Sequence, residues 1–366
     1  MERIVLCTGG TGGHIFPALA VAESIRESFP HAELLFVGGD HGPEGRLAGE
    51  AGIPFVALPA SGVLGRGVRS LGSAWWMFRS LLRCWRIYAQ FKPHAVVGFG
   101  GYASFVPVFL AAFKGIPSAV HEQNAYPGVT NRVLGKRVHR VFLSFPDDQG
   151  WFDPQKARLT GNPVRTSLIT LRDTEKAYTH QSGQRMLVLG GSQGAQAINQ
   201  ALLQALPHLL PRGVHILHQA GEKHYEALYP EYQMFDNDQA KVVPFIQDMA
   251  AAYSWADLVV SRAGASTVAE LTVIGRPSVL IPFPYAVHQH QLYNAKLLEK
   301  AGAALVVEQS YLPEVDLAEM ILDLLALPDK LVSMGRAARQ LGQPAATRTI
   351  VQELADMSAE KGNLQS

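Results

Sequence analysis

Three side chains stand where a side chain could do chemistry. His14 follows the glycine turn 9-GGTGG-13 and opens a helix-like run, 14-HIFPALA-20. A helix N-terminus disfavours an imidazolium, so a neutral ring there can accept a proton or a hydrogen bond; capping the helix or holding a phosphate is the competing role. Glu122 follows the apolar run 117-PSAVH-121 and opens the polar stretch 122-EQNA-125. A carboxylate at a strand end could take a proton, orient a hydroxyl or brace its own loop, and Asn124 beside it could bond a sugar hydroxyl. Glu270 lies in 261-SRAGASTVAEL-271, a small-residue loop running into a helix. A carboxylate so placed can accept both hydroxyls of a ribose, and its bland alternative is a solvent-facing residue of a first helical turn.

The elements that must position these residues are legible as short apolar runs alternating with helix-length segments. The early runs are 3-RIVLCT-8, 33-ELLFVG-38, 94-HAVVGF-99, 117-PSAVH-121 and 138-VHRVFL-143. The later ones are 185-RMLVLG-190, 214-VHIL-217, 241-KVVPF-245, 257-DLVVS-261 and 277-PSVLIP-282. Continuous β-branched runs read as strands buried on both faces, which means parallel sheets in an α/β architecture. The rhythm breaks between 144 and 184 and restarts at 185, where 190-GGSQG-194 echoes the first glycine turn. The expectation is two Rossmann-like domains, 1–163 and 164–343, with their parallel sheets facing a central cleft and the last helix, 344–366, packing back on the first domain.

Composition narrows the classes. The 366 residues are 48 % hydrophobic and 17 % charged, enough for two sizeable cores. Two cysteines, Cys7 and Cys84, make neither a disulfide framework nor a metal cluster. The start, Met1-Glu2-Arg3, leads straight into a strand-like run, so no signal peptide is expected, and no run of about 18 apolar residues is present to span a bilayer. Neither glycine turn fits G-x-G-x-x-G or the P-loop pattern, which removes dehydrogenase and P-loop chemistry. The stretch 121-HEQNA-125 has Ala125 where a zinc helix motif needs its second histidine, and Asp236-Asn237-Asp238 is a D-x-D in a loop-like stretch where chance matches are common. No metal and no cofactor are expected.

The succession GGTGGHIFPALA (9–20), GGYASFVP (100–107), HEQNAYPG (121–128), GNPVR (161–165), GGSQGA (190–195), FIQDMAAAY (245–253), SRAGASTVAEL (261–271) and HQLYNA (290–295) resembles the MurG family of nucleotide-sugar-dependent glycosyltransferases, motif by motif and in order. The resemblance implies a GT-B fold and inverting transfer of N-acetylglucosamine from UDP-N-acetylglucosamine (UDP-GlcNAc). The acceptor it implies is the C4 hydroxyl of undecaprenyl-pyrophosphoryl-MurNAc-pentapeptide, without an obligatory metal. It brings His14 close to the reacting groups and Asn124 to substrate. Thr11, Gly12 and Gly13 would present backbone donors toward the sugar and diphosphate, and Tyr102 would line the acceptor side unless it merely packs. Arg165 would meet the nucleotide or its phosphates, with a linker salt bridge as its alternative, and Ser192 would meet the diphosphate. Phe245 and Ile246 would face the uracil by ring stacking and backbone contacts, or be ordinary core. Ala265, Ser266, Thr267, Val268 and Ala269 would supply small side chains and backbone donors beside Glu270. The segment 286-AVHQHQLYNA-295 departs from the family, carrying two His–Gln pairs where an acid and an amide often stand together; Gln291 is the best carry-over and His290 the next. A UDP-GlcNAc 2-epimerase of the same fold and a non-catalytic nucleotide-sugar-binding protein are the rivals.

From Ala51 to His121 there is no Asp or Glu but there are seven Lys or Arg residues. Such a block suits an anionic membrane surface, and no nucleic-acid module accompanies it. In the helix-like segment 74-AWWMFRSLLRCWRIYAQF-91, a wheel puts Ala74, Met77, Phe78, Leu81, Leu82, Trp85 and Tyr88 on one apolar face, expected to be core. Trp76 and Ile87 fall among Arg79, Arg83 and Arg86, a face expected to meet lipid. A peripheral protein on the cytoplasmic face of the inner membrane is the resulting expectation.

Overall fold

The order of strands in the first sheet is what sets up a site. The structure, a computed structural model, describes residues 2–40, 42–59, 70–173, 184–191, 194–235, 238–286 and 289–365, without the side chains of 70–76 and 361–365. Two compact units result: one of residues 1–165 and 344–366, the other of 166–343.

Unit 1 is built on β1 (Arg3–Cys7), β2 (Glu33–Gly39), β3 (Phe55–Leu58), β4 (Ala95–Gly98), β5 (Ser118–Glu122), β6 (Arg140–Leu143) and β7 (Ala157–Leu159). They pair in the order β3-β2-β1-β4-β5-β6-β7, every pair parallel. Alternate residues of β1 serve opposite faces: Ile4 and Leu6 enter one core, Val5 and Cys7 the other. This two-sided burial is why the run is apolar throughout. The first core is completed by Ile350, Val351, Leu354 and Met357 of the helix Ala346–Gln365. Arg140 of β6 holds that helix from below, its guanidinium 3.2 Å from Glu353 and 3.3 Å from Glu360.

Unit 2 repeats the plan with β8 (Arg185–Leu189), β9 (His215–Gln219), β10 (Ala240–Val243), β11 (Leu258–Ser261), β12 (Ser278–Leu280) and β13 (Ala304–Val306), ordered β10-β9-β8-β11-β12-β13 and again parallel. In both sheets the order reverses direction beside the first strand of the unit, between β1 and β4 and between β8 and β11. At such a switch the loops leaving adjacent strands diverge and open a crevice at the strands' carboxyl ends.

The helix Ser70–Phe91 corrects the wheel reading. Its buried stripe is Ser80, Cys84 and Tyr88, with Ile87 and Phe91 packed against the same core. Phe78, Leu81, Leu82 and Trp85 are instead exposed, on the same side as Arg79, Arg83 and Arg86. The small Ser80 and Cys84 turn inward where the helix packs beside the helix Tyr102–Phe113, and Ser80 Oγ and Tyr88 Oη donate to the carbonyls of Pro59 and Pro107. Close approach and satisfied hydroxyls thus outweigh raw apolarity in choosing the buried face. Residues 63–69 and the Trp76 side chain lie outside the described residues. Among those described, no helix is long and apolar enough to cross a membrane.

Candidate active site

At the switch of unit 1 two glycine turns interlock. The loop after β1 carries Gly10 at φ +92°, and the loop after β4 carries Gly100 and Gly101 at φ +94° and +80°. A Cβ on Gly101 would collide with the carbonyl of Gly9, and one on Gly100 would come 2.9 Å from the His14 ring. Only glycine allows this approach. His14, in the first turn of the helix Gly12–Ser28, points its Nδ1 at the Gly9 carbonyl, 3.0 Å away. A carbonyl can only accept, so Nδ1 carries the hydrogen and Nε2 is the basic nitrogen, turned toward the Gly100 turn. Thr11, exposed, is the extended residue before the helix, and its carbonyl accepts from the amides of His14 and Ile15; Gly12 and Gly13 are partly exposed beside it. Tyr102 opens the helix Tyr102–Phe113 and is exposed.

Glu122, the last residue of β5, is buried and thoroughly engaged. Its Oε1 accepts from the Asn124 amide (3.0 Å) and side chain (3.3 Å), its Oε2 from the Gly128 amide (3.0 Å) and Asn131 Nδ2 (2.8 Å). Four donors fix the loop 122–131 around one carboxylate and hold Asn124 at the partly exposed rim. Beneath it, His121 bonds the Gly161 carbonyl at 3.1 Å, and burial pushes its pKa down to about 4. Gln123 donates to the Phe99 carbonyl at 2.7 Å, tying this loop to the Gly100 turn. Arg165, ending the GNPVR segment, stacks its guanidinium 4.4 Å from the Phe16 ring centroid.

Unit 2 holds the other residues. Ser192 lies outside the described residues, as do Gln193, Asp236 and Asn237; its flanking Gly190 and Gly194 pack against Gln219, Ala220 and His224. Gln219, at the end of β9, accepts the amide of Ile246 at 3.0 Å, which fixes the turn after β10 and leaves Phe245 partly exposed. Ala265, Ser266, Thr267, Val268 and Ala269 form the first turns of the helix Ala265–Ile274, with Gly264 before it. Glu270 is in the second turn and accepts Tyr253 Oη at 2.9 Å. Gln291, in the helix His290–Lys300, accepts the amide of Phe283 at 3.0 Å, while its neighbour His290 is partly exposed.

Several residues that sequence reasoning passed over shape these loops. Asn131 had no motif of its own; only the fold brings it back to Glu122. Arg262 donates to the carbonyls of Ile281 and Pro282 and to Gln309, covers the Phe283 ring, and has its pKa drawn down to about 10 by burial. Asn294 donates to the Ala263 carbonyl at 3.2 Å. The one signal for both was their place inside quoted motifs, SRAGAS and HQLYNA. The structure therefore places His14, Tyr102, Glu122 and Asn124 at or just after the ends of β1, β4 and β5 in unit 1, and Phe245, Ile246, Glu270 and Gln291 in the loops and helices that follow β10, β11 and β12 in unit 2.

Known proteins share the sequence and fold of these two units. Residues 4–143 match the model described as glycosyltransferase family 28 N-terminal domain, and residues 185–352 the one described as glycosyltransferase family 28 C-terminal domain. A protein of Solidesulfovibrio magneticus named UDP-N-acetylglucosamine--N-acetylmuramyl-(pentapeptide) pyrophosphoryl-undecaprenol N-acetylglucosamine transferase is 48 % identical over 370 residues, covering 99 % of this chain and 100 % of that protein. The crystal structure of Acinetobacter baumannii MurG superposes with a TM-score of 0.75 at 33 % identity, covering 97 % of this chain and 100 % of that one. A UDP-GlcNAc 2-epimerase from Neisseria meningitidis shares the fold alone, with a TM-score of 0.64 at 13 % identity over 97 % of this chain and 100 % of that one. The two parallel-sheet units are those of the GT-B architecture.

Proposed function

The chain belongs to glycosyltransferase family 28, and from that premise we propose that it transfers N-acetylglucosamine from UDP-GlcNAc to the C4 hydroxyl of undecaprenyl-pyrophosphoryl-MurNAc-pentapeptide. The observation that carries the reading is the hydrogen bond from His14 Nδ1 to the Gly9 carbonyl, which fixes the tautomer with a basic Nε2 at the switch of unit 1. His14 is the general base: Nε2 takes the hydroxyl proton as the acceptor oxygen attacks the anomeric carbon, and the bond from that carbon to the UDP oxygen breaks with inversion. Glu122, with four donors already on its oxygens, orients Asn124 for the sugar. UDP is held in unit 2, its ribose on Glu270, its base beside Phe245 and Ile246, and its phosphates at the N-terminus of the helix Ala265–Ile274, where backbone amides stabilise the departing charge.

The test is product analysis with UDP-GlcNAc and a short-chain lipid-linked acceptor. UDP release coupled one-to-one to a disaccharide product is the expected result, and His14→Ala should lower turnover by about 10²–10⁴ with UDP affinity retained. Acceptor-independent UDP release with an epimerised free sugar would instead establish the epimerase reading.

The acceptor's lipid keeps it in the bilayer, because exposing each CH₂ to water costs about 0.8 kcal/mol. The protein therefore docks on the cytoplasmic face of the inner membrane through unit 1. Support for this comes from Phe78, Leu81, Leu82, Trp85 and Phe113, exposed beside Arg79, Arg83, Arg86 and Lys114.

A further inference from the structure

Glu44 takes no part in the chemistry above, yet it is only 1 % exposed at the start of the helix Glu44–Glu50. Its Oε1 accepts the Gly10 amide at 2.7 Å, and its Oε2 has no hydrogen-bond partner among the described residues. Space for the side chain exists because Gly38 and Gly42 have none: a Cβ on Gly38 would stand 3.0 Å from Glu44 Cβ, and one on Gly42 would overlap Oε2. The amide that reaches Glu44 and the carbonyl that receives His14 belong to one peptide group, Gly9–Gly10. That group is planar and rigid, so fixing its N–H also fixes the direction of its C=O. An acceptor on the N–H also polarises the peptide and strengthens the carbonyl as an acceptor in turn.

We propose that Glu44 is a positioning residue for the base, acting on His14 through the Gly9–Gly10 peptide: it sets the angle of the imidazole and stabilises the imidazolium formed when Nε2 takes the proton. The proposal rests on the reading of His14 as the base. No proton moves along this path; His14 keeps its Nδ1 hydrogen and Glu44 only accepts the Gly10 amide. Two other titratable groups stand near. His121 lies close enough for its charge and that of His14 to repel, but burial keeps it neutral down to a pKa of about 4. Glu122 is committed to Asn124, Gly128 and Asn131.

Glu44→Gln tests this, because the amide keeps an oxygen for Gly10 and removes the charge. Ring-nitrogen NMR should show the His14 titration midpoint lowered by about half a unit to one unit. Turnover should fall about tenfold, with KM for UDP-GlcNAc within about twofold of the parent. In the unaltered protein, which needs no variant to fold, the Gly10 amide proton shift should track the His14 titration. An unmoved midpoint in a folded Glu44→Gln protein, or a Gly10 amide indifferent to His14, overturns the coupling. Normal turnover in His14→Ala would strike the base reading alone, since both NMR measurements are made without turnover and would still decide the coupling.

Discussion

At Glu270 the partner matters as much as the carboxylate. Tyr253 is fully buried and donates its hydroxyl to Oε2, so the acid is already oriented for the role we propose for it. Glu270→Ala should weaken UDP binding by about 1–3 kcal/mol, the scale of a charge-assisted bond, whereas Tyr253→Phe should cost about 1 kcal/mol or less. Calorimetric titration with UDP decides this; equal losses from the two variants would mean that orientation, not the carboxylate, supplies the affinity. Two other residues link stability to pH. Burial drives the pKa of His121 down to about 4 and that of His218 down to about 3, against about 6.5 in an unfolded chain. Below 6.5 the unfolded chain takes up protons that the folded one refuses. The stabilisation is therefore complete above that pH and shrinks as pH falls toward each folded value, by up to about 1.4 kcal/mol per pH unit per histidine. His218 sits between Tyr232 and Asn199 at 2.8 and 3.0 Å. In His218→Gln, the stability lost between pH 7 and 5 in urea melts should be smaller than in the parent; an identical loss would show that His218 does not titrate with unfolding. Of the residue-level picture, the positions of His14 and Glu122 by strand ends and of Glu270 in a helix after a small-residue loop were legible, because an apolar run or a glycine-containing turn precedes each. The engagement of Glu122 by Asn131, and of Gly10 by Glu44, was not, since 9 and 34 residues separate the partners and only the fold closes those gaps.

Among the elements, the strands buried in the middle of each sheet could be read as continuous apolar runs, and the strands missed were β3, β7 and β13. All three are sheet edges. They are short, and β7 (ARL) and β13 (ALV) have one neighbour each, so neither burial nor length builds a recognisable run. The helix Ser70–Phe91 failed differently: its wheel showed amphipathicity but could not say which face the sheet would accept. Burial of Ser80 and Cys84 leaves a ridge on which Trp85 is 54 % exposed, with Phe113 of the neighbouring helix at 81 % and Lys114 over the Trp85 ring at 5.9 Å. Exposed aromatic and aliphatic groups framed by cations match an interfacial surface, where each basic residue adds about 1 kcal/mol near anionic lipid. Replacing Leu82, Trp85 and Phe113 together by serine should abolish sedimentation with anionic vesicles while leaving turnover on a short-chain soluble acceptor within about threefold. Unchanged vesicle binding would sink this surface as the docking face.

For the molecule as a whole, the decisive element is the helix Ala346–Gln365. It begins after the second unit ends yet completes the core of the first. Leu354→Ala opens a cavity there and should cost about 2–5 kcal/mol, lowering the melting temperature of unit 1 while UDP affinity, which we propose resides in unit 2, stays unchanged. Arg140→Ala removes pairs that are partly solvated, so its cost should be about 1 kcal/mol or less. Calorimetric melts of both variants check the ranking; a larger loss from Arg140→Ala would show that charge rather than packing holds the helix. The same feature orders events on the ribosome. Residues 350–357 emerge long after residue 165, and at a synthesis rate of about 5–20 residues per second the delay is on the order of ten to forty seconds. For that interval the core around Ile4 and Leu6 has the helix Gly12–Ser28 on it but lacks Ile350, Val351, Leu354 and Met357, while residues 166–343 have everything their own core requires. The half made first is thus the half finished last, and it is the nascent N-terminal unit that a chaperone would have to shield.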